Sequence, residues 1–307
     1  MKIAVLGLCG NSVFLNVDHF HAPGETVHAE GLYAEPGGKG YNQAVAAARL
    51  GAEVFFLGAI GDDADGRACM DFARKEGITP VPQICPDIPS AYASILTDKD
   101  GENRVTVFGG AAQYLSPDFI YEKEEILAQC DLILLNNEYP QSCNEAAMEL
   151  AQKHGVKVVY NPAPARPVSP EFLKGCFLIT PNLSETAVLI GEEIADLSQL
   201  AQKLREAEIA NAVVTLGGDG AAVLAQGSAM KIPACKTRAV DTTGAGDTFT
   251  AALSVALLEG KTLVDASVWA ANAAALSVSK QYVMPGLPTK QQVETQFTQL
   301  KPEQLVV

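Results

Sequence analysis

Two acids and two glycines stand close together in Asp241-Thr-Thr-Gly-Ala-Gly-Asp-Thr-Phe249. They precede a run in which Phe249, Leu253 and Leu257 recur at helical spacing, with Gly260 to close it. The spacing predicts a helix beginning near Gly246. A helix start offers free N–H groups and the positive end of a dipole, which favour an anion such as phosphate, and glycine permits close approach. Gly244, Ala245 and Gly246 therefore read as an anion cradle, with Asp247 in the first turn as a carboxylate kept ionised beside it. Such an acid suits a general base that takes a proton from a hydroxyl while phosphate charge builds up alongside. A capped helix after a glycine turn is the plainer alternative, and a bare GxGD does not separate the two.

Other polar residues fall where strands end. Leu132 to Leu135, Val156 to Tyr160, Phe177 to Thr180 and Ala212 to Leu216 are apolar runs that alternate with helical patterns. That alternation implies a parallel sheet with helices on both faces, in which ligands lie beyond the carboxyl ends of the strands. Glu138, Asn161, Asn182 and Thr215 stand at or just after those ends, and Thr215 leads into the turn Gly217-Gly-Asp-Gly220. Ile3 to Leu8 and Val54 to Leu57 read as further buried strands. Between them, Pro36-Gly-Gly-Lys-Gly40 feeds an alanine-rich helix that Gly51 stops. Backbone brought close to a ligand there would put Lys39 and Asn42 at its edge, although close helix packing also accounts for small residues. It is not a P-loop, because Gly40 stands where a hydroxyl must follow the lysine.

Two stretches have a different character. Residues 11–36, where Val13, Leu15 and Val17 alternate ahead of Pro23-Gly24, read as short antiparallel strands. Residues 91–109, folded back at Asp98-Lys-Asp-Gly-Glu-Asn103, read as a second hairpin that joins them in a small lid. His19, His21 and His28 read as surface histidines, since no acid or cysteine completes a metal-ligand set. Gly61-Asp-Asp-Ala-Asp-Gly66 has Phe72 where a calcium loop needs its glutamate, and reads as a capped helix start.

Lys and Arg number 22 against 36 Asp and Glu, a formal net charge of −14, which speaks against a nucleic-acid binder. An anionic nucleotide must then be held by backbone amides, Mg2+ and a few placed cations. With 48% hydrophobic residues in 307, the chain has material for a sizeable core. Seven cysteines without a CxxC pair read as reduced thiols of a cytoplasmic protein. The apolar start is too short and too poorly flanked for a signal peptide, and no run is long enough to span a membrane.

Several segments, in order, are similar to the ribokinase family of sugar kinases. They are Gly37-Gly-Lys-Gly40 with Asn42 to Gly51, Gly101-Glu-Asn103, Asn161-Pro-Ala-Pro-Ala165, Thr180-Pro-Asn182, Thr215-Leu-Gly217 and the Asp241 stretch. The resemblance covers nearly the whole chain. It implies one α/β domain over residues 1–307: a doubly wound, mostly parallel sheet with helices on both faces, plus a small β-sheet lid made by the two hairpin stretches. It implies transfer of the ATP γ-phosphoryl group, with Mg2+, to a hydroxymethyl group of a sugar, and a homodimer through the lids. Carried over residue by residue, Asp247 is the base and Gly244, Ala245 and Gly246 the anion hole. Gly38, Lys39, Asn42 and Glu138 contact the sugar with Asp247. Asn182, Thr215, Gly217, Gly220 and Gly246 contact the nucleotide. Asn182 and Glu185 organise Mg2+ through water, although a helix cap with an acid in its first turn accounts for the same pair. Asp241, Thr243, Ser277, Lys280 and Tyr282 correspond to a loop that holds a monovalent cation such as K+.

The sequence departs from the family mainly at the sugar end. Ribokinases begin with Gly-Ser-x-Asn-x-Asp, whose Asn and Asp grip sugar hydroxyls; here Gly10 and Ser12 stand in those substrate-contacting places. D-ribose is therefore expected to be a poor acceptor, and another sugar or a nucleoside with a primary hydroxyl the preferred one. Tyr41, where a small residue is usual, either reshapes the pocket or points away. Tyr282 replaces a glycine of the cation loop and Gly286 a hydroxyl. A bulky residue rarely takes a positive φ, so weakened K+ activation is expected. A nucleoside or other small-alcohol kinase remains an alternative, as does a silent sugar or nucleotide sensor, against which the intact Asp247 stretch weighs.

Overall fold

A computed structural model describes residues 1–225 and 228–305. Its strands are β1 (Lys2–Leu6), β2 (Gly10–Asn16), β3 (Gly31–Gly37), β4 (Glu53–Gly61), β5 (Thr79–Cys85), β6 (Ala91–Thr97) and β7 (Asn103–Phe108). They continue with β8 (Leu132–Leu135), β9 (Lys157–Tyr160), β10 (Leu178–Ile179), β11 (Asn211–Thr215), β12 (Ala221–Ala225), β13 (Ser228–Ile232) and β14 (Glu303–Gln304). Ten of them make one sheet in the order β14-β13-β12-β11-β10-β9-β8-β1-β4-β5, parallel from β11 to β5 and antiparallel beyond β11. The other four form a small sheet, β3-β2-β6-β7, in which two antiparallel pairs meet along a parallel β2–β6 seam. This is the expected α/β architecture with a lid.

The unbroken apolar runs follow from burial on both faces. Ile3 and Val5 face one core with Leu132, Leu134 and Val159, whereas Ala4 and Leu6 face the other with Ile133, Leu135 and Tyr160. The helices Lys39–Arg49, Ala245–Leu258 and Leu263–Ser277 cover the first face, and Gln141–His154 and Leu197–Glu206 the second. Among the described residues no helix is long and apolar enough to cross a membrane.

Some elements differ from expectation. β1 ends at Leu6 rather than Leu8: Gly7 makes one last bond to the Leu57 carbonyl, and the chain then leaves for the lid. β5 escapes sequence reading because Pro80 and Pro82 lack ladder donors; it forms because it is the sheet edge, paired with β4 alone. The β12–β14 extension is built partly of alanines with little strand preference. Residues 61–66 form the capped start foreseen for them, with Asp63 accepting from the Gly66 N–H at 2.7 Å.

Candidate active site

The expected base lies at the centre of a hydrogen-bonded cluster. Asp247 is 6% exposed, in the first turn of a helix that starts at Ala245, one residue earlier than the spacing suggests. Asn42 Nδ2 donates to its Oδ2 at 2.8 Å, and Gln43 Nε2 to its Oδ1 at 3.2 Å. Gln43 also donates to Asn161 Oδ1 at 3.2 Å, and Asn161 Nδ2 to the Thr180 carbonyl at 2.8 Å. The start of the Lys39 helix, the start of the Ala245 helix and the ends of β9 and β10 thus meet at one carboxylate. Burial raises the Asp247 pKa, while Lys39 and the two amides pull it back down. Reciprocally, Asp247 is the main cause of a raised Lys39 pKa, with Glu138 and Glu185 adding to it.

Gln43 is missing from the sequence-based set of site residues. Nothing in its residue type marks it; only the structure shows that it lies in a helix whose residues 40–47 are all buried. The side-chain oxygens of Asn42 and Gln43 are buried without a partner beside the carboxylate, and Asn42, 7% exposed, is the one of the two that reaches the surface. Ala245 departs from its expected place in the anion cradle, since its N–H donates to the Thr242 carbonyl at 3.2 Å. Gly246 is left as the open edge, with nothing near the position a Cβ would take.

Glu138, expected to contact a sugar, has a task that its sequence position does not reveal. Its two oxygens accept the N–H groups of Lys39 at 2.8 Å and Gly40 at 3.0 Å, capping a helix whose own N-cap, Gly38, has no side chain. Burial outweighs these bonds and pushes the Glu138 pKa up to about 7. Tyr41 points away from the site: its hydroxyl donates to the Cys69 carbonyl at 2.6 Å and its ring stands edge-on to Phe56. A Cβ at Gly10 would fall 2.0 Å from the Ala91 carbonyl oxygen, so this backbone admits no side chain there. Ser12 lies with its hydroxyl against Gly37. Asn11, its neighbour on the opposite sheet face, donates to Asp65 at 3.3 Å and does not replace the missing acid.

A cavity of about 730 Å³ opens on the other side of Gly246. Thr215, Gly217 and Gly220 line it, together with Pro233 to Thr237 and a wall of Ala271, Ala274, Ala275 and Val278. Nothing in the alanines' types marks them for a site; only packing reveals the flat apolar wall, which suits a planar base. Asn182 and Glu185 form a reciprocal capping box: Asn182 Oδ1 accepts the Glu185 N–H and Glu185 Oε2 accepts the Asn182 N–H, each at 2.8 Å. Glu185 Oε1 stays free, and burial raises the pKa of this carboxyl. One partly buried acid with a free oxygen fits an ion that keeps most of its own water. Among the described residues no group of three or more His, Cys, Asp and Glu is arranged to hold a metal. Mg2+ would therefore rest mainly on phosphate and water.

The expected cation-loop residues do come together. Asp241 accepts the Thr243 N–H at 2.9 Å and the Tyr282 N–H at 3.0 Å, and Lys280 donates its N–H to the Ser277 carbonyl at 3.3 Å. One premise of the sequence reading is corrected here, since Tyr282 adopts φ 65 and ψ 165 despite its bulk. Such a backbone costs about 1–3 kcal/mol in a non-glycine residue. Its ring offsets this by stacking on Tyr33, with centroids 3.9 Å apart, and by an edge contact to Phe14 at 5.1 Å.

Residues 1–290 match the family model of pfkB family carbohydrate kinases. The chain belongs to the pfkB family. This pfkB-family kinase is similar to the ribokinase of Haemophilus influenzae, 38% identical over 295 residues covering 94% of this chain and 96% of the relative. It is 36% identical to the ribokinase of Bacillus subtilis over 294 residues, covering 95% and 98%. The solved structure of Arabidopsis thaliana ribokinase complexed with ribose and ATP matches at a TM-score of 0.87 and 28% identity, covering 96% and 98%. The pfkB-family chain is thus a ribokinase-type, ATP-dependent sugar kinase, a phosphotransferase with an alcohol acceptor.

Glu138 holds its proton up to about pH 7 when folded, against an ordinary value of 4.5. The folded state binds more protons across that window, so this contribution to stability is present below the ordinary value and lost as pH rises through the folded one. Glu138→Gln is expected to flatten the decline in thermal midpoint over the same window; an unchanged slope would contradict the assignment.

Proposed function

We propose that this kinase transfers the γ-phosphoryl group of ATP to the primary hydroxyl of a sugar that presents few hydroxyls to the lid. The observation that carries the reading is the Asp247 carboxylate, fixed by two amides beside the open edge of a helix start. The acceptor hydroxyl gives its proton to Asp247 as its oxygen attacks the γ-phosphorus, and the bond from that phosphorus to the β,γ-bridging oxygen breaks to release ADP. The amides at Gly246 take up the growing phosphate charge, supported by the Lys39 ammonium. Mg2+ neutralises phosphate charge when bound, and Glu185 with Asn182 is proposed to hold its waters. The cavity beside Gly246 is proposed to take the nucleotide.

The acceptor preference rests on the lid. Gly10 offers no side chain and Ser12 one neutral hydroxyl where the family has an amide and an acid, and the register puts Ala93 and Val107 on the same face. A sugar hydroxyl that gives up water for this wall loses partners worth about 1.5–3 kcal/mol to a charged group, tenfold or more in affinity. A coupled ADP-release screen over D-ribose, 2-deoxy-D-ribose, other pentoses and nucleosides tests this. An acceptor other than D-ribose is expected to give the highest kcat/KM; D-ribose as the best, with a micromolar KM, would restore plain ribokinase. Asp247→Asn is expected to keep ATP binding and lower kcat by about 10²–10⁴. Normal turnover of that variant would remove the base assignment.

The surviving Tyr282 backbone supports a K+ loop that still works, opposite to the expectation from residue type. Saturable K+ stimulation of kcat is the expected result, and rates indifferent to K+ against Na+ would exclude it. A homodimer through the lids is proposed as well. Leu32, 72% exposed, shares one lid face with Val13, Leu15, Tyr92 and Phe108, an apolar surface that invites a partner. Light scattering at micromolar concentration is expected to give the dimer mass, and a monomer would count against it. All seven cysteines are free thiols, which supports a cytoplasmic setting.

A further inference from the structure

One buried carboxylate has no part in this reading. Glu35, on β3, is 5% exposed. Its two oxygens accept the backbone N–H groups of Val283 at 2.9 Å and Met284 at 3.0 Å, bonds that cross from the lid to the turn after Tyr282. The Tyr282 ring lies on Tyr33 and against Phe14, both in lid strands, and its N–H is held by Asp241. The same turn touches the anion cradle on its other side. A Cβ added to Gly244 would fall 2.7 Å from Val283 Cγ1, so Gly244, left-handed at φ 77, sits directly against that side chain. A short path of contacts therefore runs from β3 through Glu35 and Val283 to Gly244, the N-cap of the helix that carries Asp247.

We propose that Glu35 is a positioning residue that makes the geometry of the phosphate cradle depend on the position of the lid. The inference rests on the kinase reading above. A carboxylate offers two acceptors in a fixed fork, matching two successive N–H groups. Buried as it is, it would be costly to leave without them. The turn consequently follows β3 when the lid moves, and Val283 carries the displacement to Gly244. A lid that only gripped the sugar would govern acceptor affinity. A lid linked to the cradle governs the rate of transfer once both substrates are bound, because small misplacements of a reacting group are felt strongly.

The test uses the full chain and the best acceptor of the screen, with Glu35→Gln and Val283→Ala as variants. The first keeps size but turns an amide NH2 toward one of the two N–H groups. The second leaves both bonds in place and removes the contact with Gly244. In both, kcat is expected to fall about tenfold, while the KM values for acceptor and ATP stay within about threefold. ATP hydrolysis without acceptor is expected to rise relative to phosphoryl transfer. Wild-type kcat in both variants, or a loss confined to the acceptor KM, would overturn the proposal. If Glu35→Gln shows no cooperative melting transition, Val283→Ala alone decides by the same criteria. A wild-type chain that phosphorylates no acceptor would instead refute the kinase reading, a result separable from any difference between variants.

Discussion

A carboxylate buried at the start of a helix must find donors elsewhere in the chain. Asp247 finds them in Asn42 and Gln43, 205 and 204 positions earlier. Much of the architecture follows from bringing those residues together. The Lys39 helix has to pack against the Ala245 helix, and the small residues of both let the backbones approach. Gln43 reaches on to Asn161, so the end of β9 is fixed to the same point. Thr180 and Thr250, hydroxyl to hydroxyl at 3.0 Å, fasten the end of β10 to the helix that holds Asp247.

Charge sets the second constraint. A chain with a net charge of −14 holds a polyanion only by local means. Asp247, Glu138 and Glu185 all act on Lys39 and raise its pKa, so the one cation among them stays protonated. Two of these acids are occupied by backbone. Glu138 caps the Lys39 helix, and Glu185 closes a capping box with Asn182. Helix ends and acids thereby satisfy one another, leaving the open amide edge at Gly246 and the Lys39 ammonium for an incoming anion.

The parts of this arrangement written in local sequence were legible. Apolar runs gave the parallel strands, turn residues gave the lid hairpins, and glycine with acid at a helix start marked the cradle. What escaped depends on partners distant in sequence. β5 gives no strand signal until it is paired with β4, because its prolines are tolerated only at an edge. Gln43 and Glu35 look like ordinary polar residues, and only burial against a far segment gives them weight. Tyr282 shows the limit of arguing from residue type, because stacking on Tyr33 holds it where propensity would not.

The central claim is that Asp247 acts as a base only while its amide partners hold it, and a double-mutant cycle on kcat between Gln43 and Asp247 tests it most directly. Gln43 is fully buried, so Gln43→Met probes the support and leaves the acceptor surface alone. With Asp247 present, that substitution is expected to lower kcat clearly; in the Asp247→Asn background it is expected to cost almost nothing, the signature of residues that work as one unit. Equal losses in the two backgrounds would contradict the claim and make Gln43 a packing residue unconnected to proton transfer.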